Sequence, residues 1–213
     1  MTEKKIARLV MGEVTDMDRV KNGCENFDVY SLPSIDLSKY VGLIISMGCD
    51  QRFLLKHQEK IASWVENGGR VLVNGQPVLP FLPKMPVWRK LMFHGVDDIW
   101  LTRVNEHPIW EGIEMKDLLL RTGVPGEHTF EELLDIGVGG FYARAYMVGL
   151  SDDAVVVNGI GSGQLPVDVV YPLGRGEVIM HSGNDLEGFD TTCGEKKYLR
   201  PRVLAYLSGD EHA

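Results

Sequence analysis

Three short polar stretches could carry chemistry, and each follows an apolar run that reads as a strand. Met47-Gly48-Cys49 follows VGLIIS, Gly75-Gln76-Pro77 follows RVLVN, and His181-Ser182-Gly183-Asn184-Asp185 follows GEVIM. Open parallel sheets bind ligands beyond the carboxyl ends of their strands. Gly48, Cys49, Asn74, Gly75, Gln76, Ser182, Asn184 and Asp185 are therefore candidate ligand-binding residues. His181 is the candidate catalytic group, because an imidazole with an ordinary pKa near about 6.5 can act as acid or base at neutral pH. A histidine that only hydrogen-bonds within a turn is the alternative, and both readings stay open. The Ser, Asn and Asp beside it also make the side-chain turns that close strand ends.

Arg144, in GGFYARAYMVG, is a further ligand-binding candidate. Tyr142, Arg144 and Tyr146 alternate, which predicts three polar-tipped side chains on one face of a strand. An arginine there can clamp a carboxylate or a phosphate. An exposed sheet face with snorkelling side chains is the plainer reading. Cys49 could attack a substrate from a neighbouring strand end, but a lone cysteine of this kind is expected to be a packing residue.

Other patterns carry less. NGIGSGQ (158–164) has the glycines of a nucleotide loop, yet LPVDVVYP after it reads as a strand. The helix N-terminus that would hold a pyrophosphate is missing, so a hairpin loop is expected. The sets His94, Asp97 and Asp98, Glu106 and His107, and Glu127 and His128 lack the i, i+4 histidines of a zinc helix. They read as solvated loop residues, and neither a metal nor a cofactor is expected. Lys196, Lys197, Arg200 and Arg202 read as a solvated helix flank.

The elements that must position these groups follow from hydrophobic patterning. Strands are expected over Ile6–Met11, Phe27–Leu32 and Val41–Ser46. VGLIIS is nearly all apolar, as in a strand buried on both faces of a parallel sheet. Asp50–Asn67 predicts one amphipathic helix, capped by Asp50 and stopped by Gly68-Gly69. Arg70–Asn74 then completes a β-α-β unit. The four prolines of Pro77–Pro86 dictate a loop, and Asp98–Val104 reads as a strand. A short helix at Glu131–Leu134 and a glycine join at Gly137–Gly140 are expected next. Phe141–Val148, Ala154–Asn158, Pro166–Tyr171 and Glu177–His181 form a strand series, the last two joined by a turn over Pro172–Gly176. Pro201 suits the first turn of a closing helix with Val203, Leu204 and Leu207 inward.

In this order, YVGLIISMG, the amphipathic helix, NGGRVLVNGQ and GRGEVIMHSGN resemble the class I glutamine amidotransferase-like superfamily. NEHPIWEGI is similar to an HP-aromatic-x-G stretch of its uncharacterised and trehalose-utilisation-type branches. The resemblance spans most of the chain and implies an α/β, flavodoxin-like three-layer fold. A mainly parallel sheet would carry an added antiparallel hairpin near the C-terminus. In active amidotransferases an elbow after the fourth strand presents a cysteine. The matching stretch here is Val73-Asn74-Gly75-Gln76, without a thiol. His181 matches the family histidine, and Gly183 stands where the family glutamate would be. Thioester chemistry on glutamine needs an activated thiolate, so ordinary glutaminase activity is not expected.

The 213 residues suit a single domain over 1–213, with 44% hydrophobic and 24% charged residues. A formal charge of −8 argues against general nucleic-acid binding, which needs a basic footprint. No signal peptide is expected in the N-terminal MTEKKIARLVMGEV, and no run approaches the roughly 18 apolar residues of a membrane span. Cys24, Cys49 and Cys193 are widely spaced, as expected of reduced thiols in the cytoplasm. Three functions compete. One is a non-catalytic module that binds a small polar metabolite or serves as an assembly or regulatory subunit with a partner protein. Another is a hydrolase or isomerase of a sugar-like or carboxylated molecule, using His181. The third is a homo-oligomeric scaffold built on Trp88, Trp100 and Trp110.

Overall fold

The computed structural model describes residues 5–118, 142–189 and 199–210. The expected helix at 131–134 and glycine join at 137–140 lie outside these residues, as do Lys196 and Lys197 of the basic run.

The chain is mixed α/β. Strand β1 is Ile6–Val10, followed by the two-residue β2 (Val20–Lys21) and β3 (Cys24–Asp28). Strand β4 is Gly42–Ile45, and helices α1 (Gln51–Lys56) and α2 (Gln58–Glu66) lead to β5, Arg70–Asn74. The middle holds β6 (Val87–Lys90), β7 (Leu101–Arg103) and the short α3 (Met115–Leu118). Strands β8 (Ala145–Val148), β9 (Val155–Ile160), β10 (Leu165–Leu173) and β11 (Gly176–His181) precede the closing helix α4, Leu199–Ser208.

Among the described residues nine strands form one sheet, in the order β2-β3-β1-β4-β5-β11-β10-β9-β7. Its centre, β3 to β11, is parallel, and its two edges are antiparallel. The C-terminal hairpin is β10–β11, with its turn narrowed to Gly174-Arg175 because β10 runs on through Pro172 to Leu173. NGIGSGQ makes the β9–β10 turn, as a hairpin loop should.

Alternation along the strands feeds two cores. Leu9, Leu43, Val71, Val178 and Tyr171 pack with Leu54, Ile61 and Val65 of α1 and α2. Ile6, Ile44, Leu72, Ile179 and Val170 pack with Val203 and Leu207 of α4 and with Trp110. Of the three tryptophans proposed for self-association, Trp110 is fully buried, Trp88 half-buried and Trp100 41% exposed, so they do not share one surface.

Several expectations need correction. The strand expected over Phe27–Leu32 is shifted to Cys24–Asp28, so only Phe27 and Asp28 of that stretch belong to it. Asp28 ends β3 and accepts a hydrogen bond from Tyr30 N at 3.0 Å, which starts a 3-10 turn over Val29–Ser34. The helix after Asp50 is broken at His57, whose N–H is shared between the Phe53 and Leu54 carbonyls and whose ring leans on Phe53 at 4.5 Å. Asp50 does cap α1, accepting from Arg52 N and Phe53 N. The strand expected from residue 98 begins only at Leu101, because Val96–Ile99 forms a 3-10 turn. Tyr142 and Arg144 do not share a strand face: Tyr142 precedes β8 and is 1% exposed in the core, whereas Arg144 is exposed.

Candidate binding site

One polar residue from each of five adjacent strands falls in a single row across the sheet. Arg103 on β7 pairs in register with Asn158 on β9, Asn158 with Asp168 on β10, Asp168 with His181 on β11, and His181 with Asn74 on β5. Asn74, His181, Asp168 and Asn158 are all buried. Such a row is stable only if its members satisfy one another.

Most do. Arg103 Nε donates to Asn158 Oδ1 at 2.9 Å, and Asn158 Nδ2 donates to Asp168 Oδ2 at 2.6 Å. Tyr142 Oη donates to the same oxygen at 2.8 Å and accepts from Trp110 Nε1 at 2.9 Å. Burial, and then the neighbouring Asp168 carboxylate, push the Tyr142 phenol well above its ordinary pKa, so it remains a donor. Asp168 Oδ1 is left to face His181 Nδ1 at 2.7 Å. His181 Nε2 is buried and has no partner among the described residues. Gly183 closes over it: a Cβ there would collide with His181 Nε2 and with the Tyr142 carbonyl oxygen.

Asn74 carries the row's order to an open site. Its Oδ1 accepts from Leu186 N and its Nδ2 donates to Glu187 Oε2, both at 3.0 Å, fixing the turn that follows β11. Arg8, on β1, donates from Nη2 to Asp185 Oδ2 at 2.6 Å and from Nε to Glu187 Oε1 at 2.9 Å. Asp185 also accepts from Met47 N at 2.6 Å and Ser46 Oγ at 3.1 Å. Burial, followed by the Asp185 charge, raises the Glu187 pKa above its ordinary value, with Arg8 opposing.

Beside this lattice lies a cavity of about 500 Å³. Arg8, Cys24 and Asn26 from β1 and β3 line it, with Glu13, Asp18 and Lys21 from the loop and strand between them. Met47, Asn184, Asp185 and Glu187 form another wall, and Arg200 of α4 reaches in. The position follows from topology. The chain leaves β1 for β3 on one side and returns to β4 on the other, which opens a crevice at the strand ends.

The expected site residues therefore divide. Asn184 and Asp185 line the cavity, and Gly48 is exposed beside Met47. Asn74 acts on the site indirectly by holding the turn. His181 and Ser182 are each 1% exposed, and Ser182 Oγ donates to the Ala145 carbonyl at 2.9 Å. Cys49 is 6% exposed, its Sγ is 3.5 Å from the Leu9 carbonyl, and burial pushes its thiol up to about 12. Gly75, at φ 96°, donates its N–H to the His181 carbonyl at 3.0 Å, and a Cβ there would press on Met47. Gln76 is exposed, its carbonyl accepting from Gln51 Nε2 at 3.3 Å, while Arg144 lies on β8's approach and lines no wall of the cavity.

Sequence reasoning missed Arg8, Asn26, Glu187 and Arg200 at the cavity and Arg103, Asn158 and Asp168 in the row. A usable signal existed for two of them: Arg8 inside IARLV and Asp168 inside LPVDVVYPL are charges within apolar strands, which need partners. Arg200, read as a solvated flank, instead lines the cavity. Among the described residues no group of three or more His, Cys, Asp or Glu is placed to hold a metal ion. No described helix is long and apolar enough to cross a membrane.

No family model and no curated protein matches the chain in sequence. In structure it is similar to the cytoplasmic protein STM3548 from Salmonella typhimurium, with a TM-score of 0.51 and 15% identity, over 84% of this chain and 87% of that one. The cytoplasmic protein STM1381 from Salmonella typhimurium LT2 follows at 0.49 and 12%, over 96% and 95%. A β-galactosidase from Rahnella sp. R3 gives 0.44 and 13%, and the chain spans only 32% of its length. At these identities the first likeness is one of fold alone.

Proposed function

We propose that the chain is a class I glutamine amidotransferase-like module of flavodoxin-like layering that lacks glutaminase chemistry. It binds a small polar metabolite in the cavity beside β1 and β4. The observation that carries this reading is the cavity's built wall: Arg8, Asp185 and Glu187 are locked by short mutual hydrogen bonds at the strand-end crevice, and Asn74 holds Glu187 from behind. Preorganised polar walls of this kind suit a polar ligand. The Salmonella neighbour's description and the free thiols of Cys24 and Cys49 favour a cytosolic location.

The absence of a thiol at Gly75, the buried high-pKa Cys49 and the closed-off His181 weigh against a hydrolase built on the strand-end histidine. A role as an assembly or regulatory subunit is compatible with the same cavity, as a sensor of its ligand.

A thermal-shift screen against amino acids, sugars, sugar acids and nucleotides tests the reading, with Asn184→Trp run in parallel. Asn184 is exposed at the cavity mouth, so the indole blocks the space without disturbing the core. A compound that raises the wild-type midpoint, through binding the native state, and leaves the variant unmoved is the expected result. Equal stabilisation of both proteins would move the ligand out of this cavity.

A further inference from the structure

The cavity is more specific than its mixed charge suggests, because most of its charged groups are already spent on one another. Asp185 and Glu187 are engaged by Arg8, Asn74, Met47 N and Ser46. Lys21 is paired with Asp18 at 3.0 Å. Two charged lining groups, Arg200 and Glu13, are left over among the described residues, and with them the buried amide oxygen of Asn26. The Arg200 guanidinium makes no ion pair among the described residues, and its Nε is buried without a partner. Asn26 is 6% exposed, and its Oδ1 is likewise buried and unpartnered, although its Nδ2 donates to the Asp18 carbonyl at 2.7 Å. Glu13 stands exposed at the rim.

These orphans sit together. Asn26 is the in-register neighbour of Arg8. Cys24, two residues before it on the same strand face, feels the positive charge of both Arg8 and Arg200. The cavity lining thus presents a cation and a buried acceptor, neither paired among the described residues. Buried polar atoms are nearly always satisfied in native proteins, so a donor and an acceptor left open in one cavity call for a ligand that supplies both complements.

Resting on the reading of this cavity as a ligand site, we infer that it takes a small carboxylate bearing a hydroxyl or amino donor next to the acid group. The carboxylate lies on the planar guanidinium of Arg200, whose fork matches its two oxygens. The adjacent O–H or N–H donates to Asn26 Oδ1. Glu13 at the rim separates the two members of this class: it favours an ammonium over a hydroxyl.

Calorimetric titration of the full chain with D-glycerate, L-serine, glycerol and L-serine methyl ester tests the assignment. Glycerate or serine should bind, and glycerol and the ester should not. Arg200→Met keeps the aliphatic stem and should weaken binding by about ten- to a hundredfold, the loss of a charge-assisted contact. Arg200→Lys should recover only part of it. An unchanged urea midpoint in the variants establishes that they fold. Serine binding that Glu13→Gln weakens, with glycerate indifferent to it, assigns the amino acid; glycerate binding alone assigns the hydroxy acid. Glycerol binding as tightly as glycerate, or affinity unaltered by Arg200→Met, overturns the carboxylate assignment while leaving the cavity reading intact, provided Asn184→Trp still abolishes binding. Binding that survives Asn184→Trp, or no binding by any of the four, overturns the inference, and the first of these outcomes removes the cavity reading with it.

Discussion

His181 Nδ1 and Asp168 Oδ1 lie 2.7 Å apart across the β10–β11 hairpin, in a pair whose side chains are both fully buried. The carboxylate holds three donors at once, from His181, Tyr142 and Asn158. The pair is the node of a core network. Asp168→Ala would strand those donors in a dry interior. The expected loss of stability is about 3–5 kcal/mol, since removing one member of a buried polar pair leaves the rest uncompensated. Asp168→Asn keeps the volume and one acceptor oxygen and should cost less. Urea denaturation reads both. A loss below about 1 kcal/mol for the alanine variant would mean that water reaches the row.

Gly183 makes a second, independent prediction. The strand-end turn leaves no room for a Cβ there, with the His181 imidazole and the Tyr142 carbonyl in the way, and an isolated bridge ties it to Ala143. Gly183→Ala therefore forces backbone apart, and a loss of about 1–3 kcal/mol is expected for such overpacking. Asn184→Ala, one residue on and exposed, should stay within about 0.5 kcal/mol of wild type. Equal behaviour of the two variants would show that the turn relaxes freely.

These two residues also show how far the sequence could be read. His181 and Asn74 stood out as polar ends of apolar strands, and Arg70–Asn74 and the Asp50 cap were legible because local patterning decides them. What patterning cannot supply is which strand lies beside which. Arg8 and Asp185 are 177 residues apart, and Asn74 and Glu187 are 113 apart, so the cavity wall exists only once β1, β5 and the turn after β11 converge. Asp168 was readable as an anomaly inside an apolar run, but its partner was not. The misplaced strand at Phe27–Leu32 has the opposite cause: a local cap at Asp28 overrode good strand formers.

Thiol reactivity follows from burial. Cys49 is pushed up to about 12 and Cys24 to about 11, each chiefly by desolvation. At pH 8 about one Cys49 in ten thousand and one Cys24 in a thousand would be thiolate, before any steric shielding. Iodoacetamide followed by peptide mapping should therefore leave both unmodified in the folded chain and alkylate both in urea. Fast native labelling of Cys49 would reopen the question of a nucleophile at that strand end.

Glu187 sets the expected pH dependence of the cavity wall. Its carboxyl is raised above the ordinary value because burial, and then Asp185, disfavour its charged form more than Arg8 favours it. The folded state therefore holds this proton to higher pH than the unfolded chain does. The group's contribution to stability is fully present below the ordinary carboxylate pKa of about 4.3, and it is lost as pH rises through the folded value. Glu187→Gln removes this titration. The stability of wild type relative to the variant should accordingly fall as pH rises above about 4.3, as urea titrations at a series of pH values would record. A difference that moves in favour of wild type over the same range would mean that the Arg8 ion pair at 2.9 Å outweighs desolvation. Glu187 would then be a charged partner that holds Arg8 in the wall, not a protonated one.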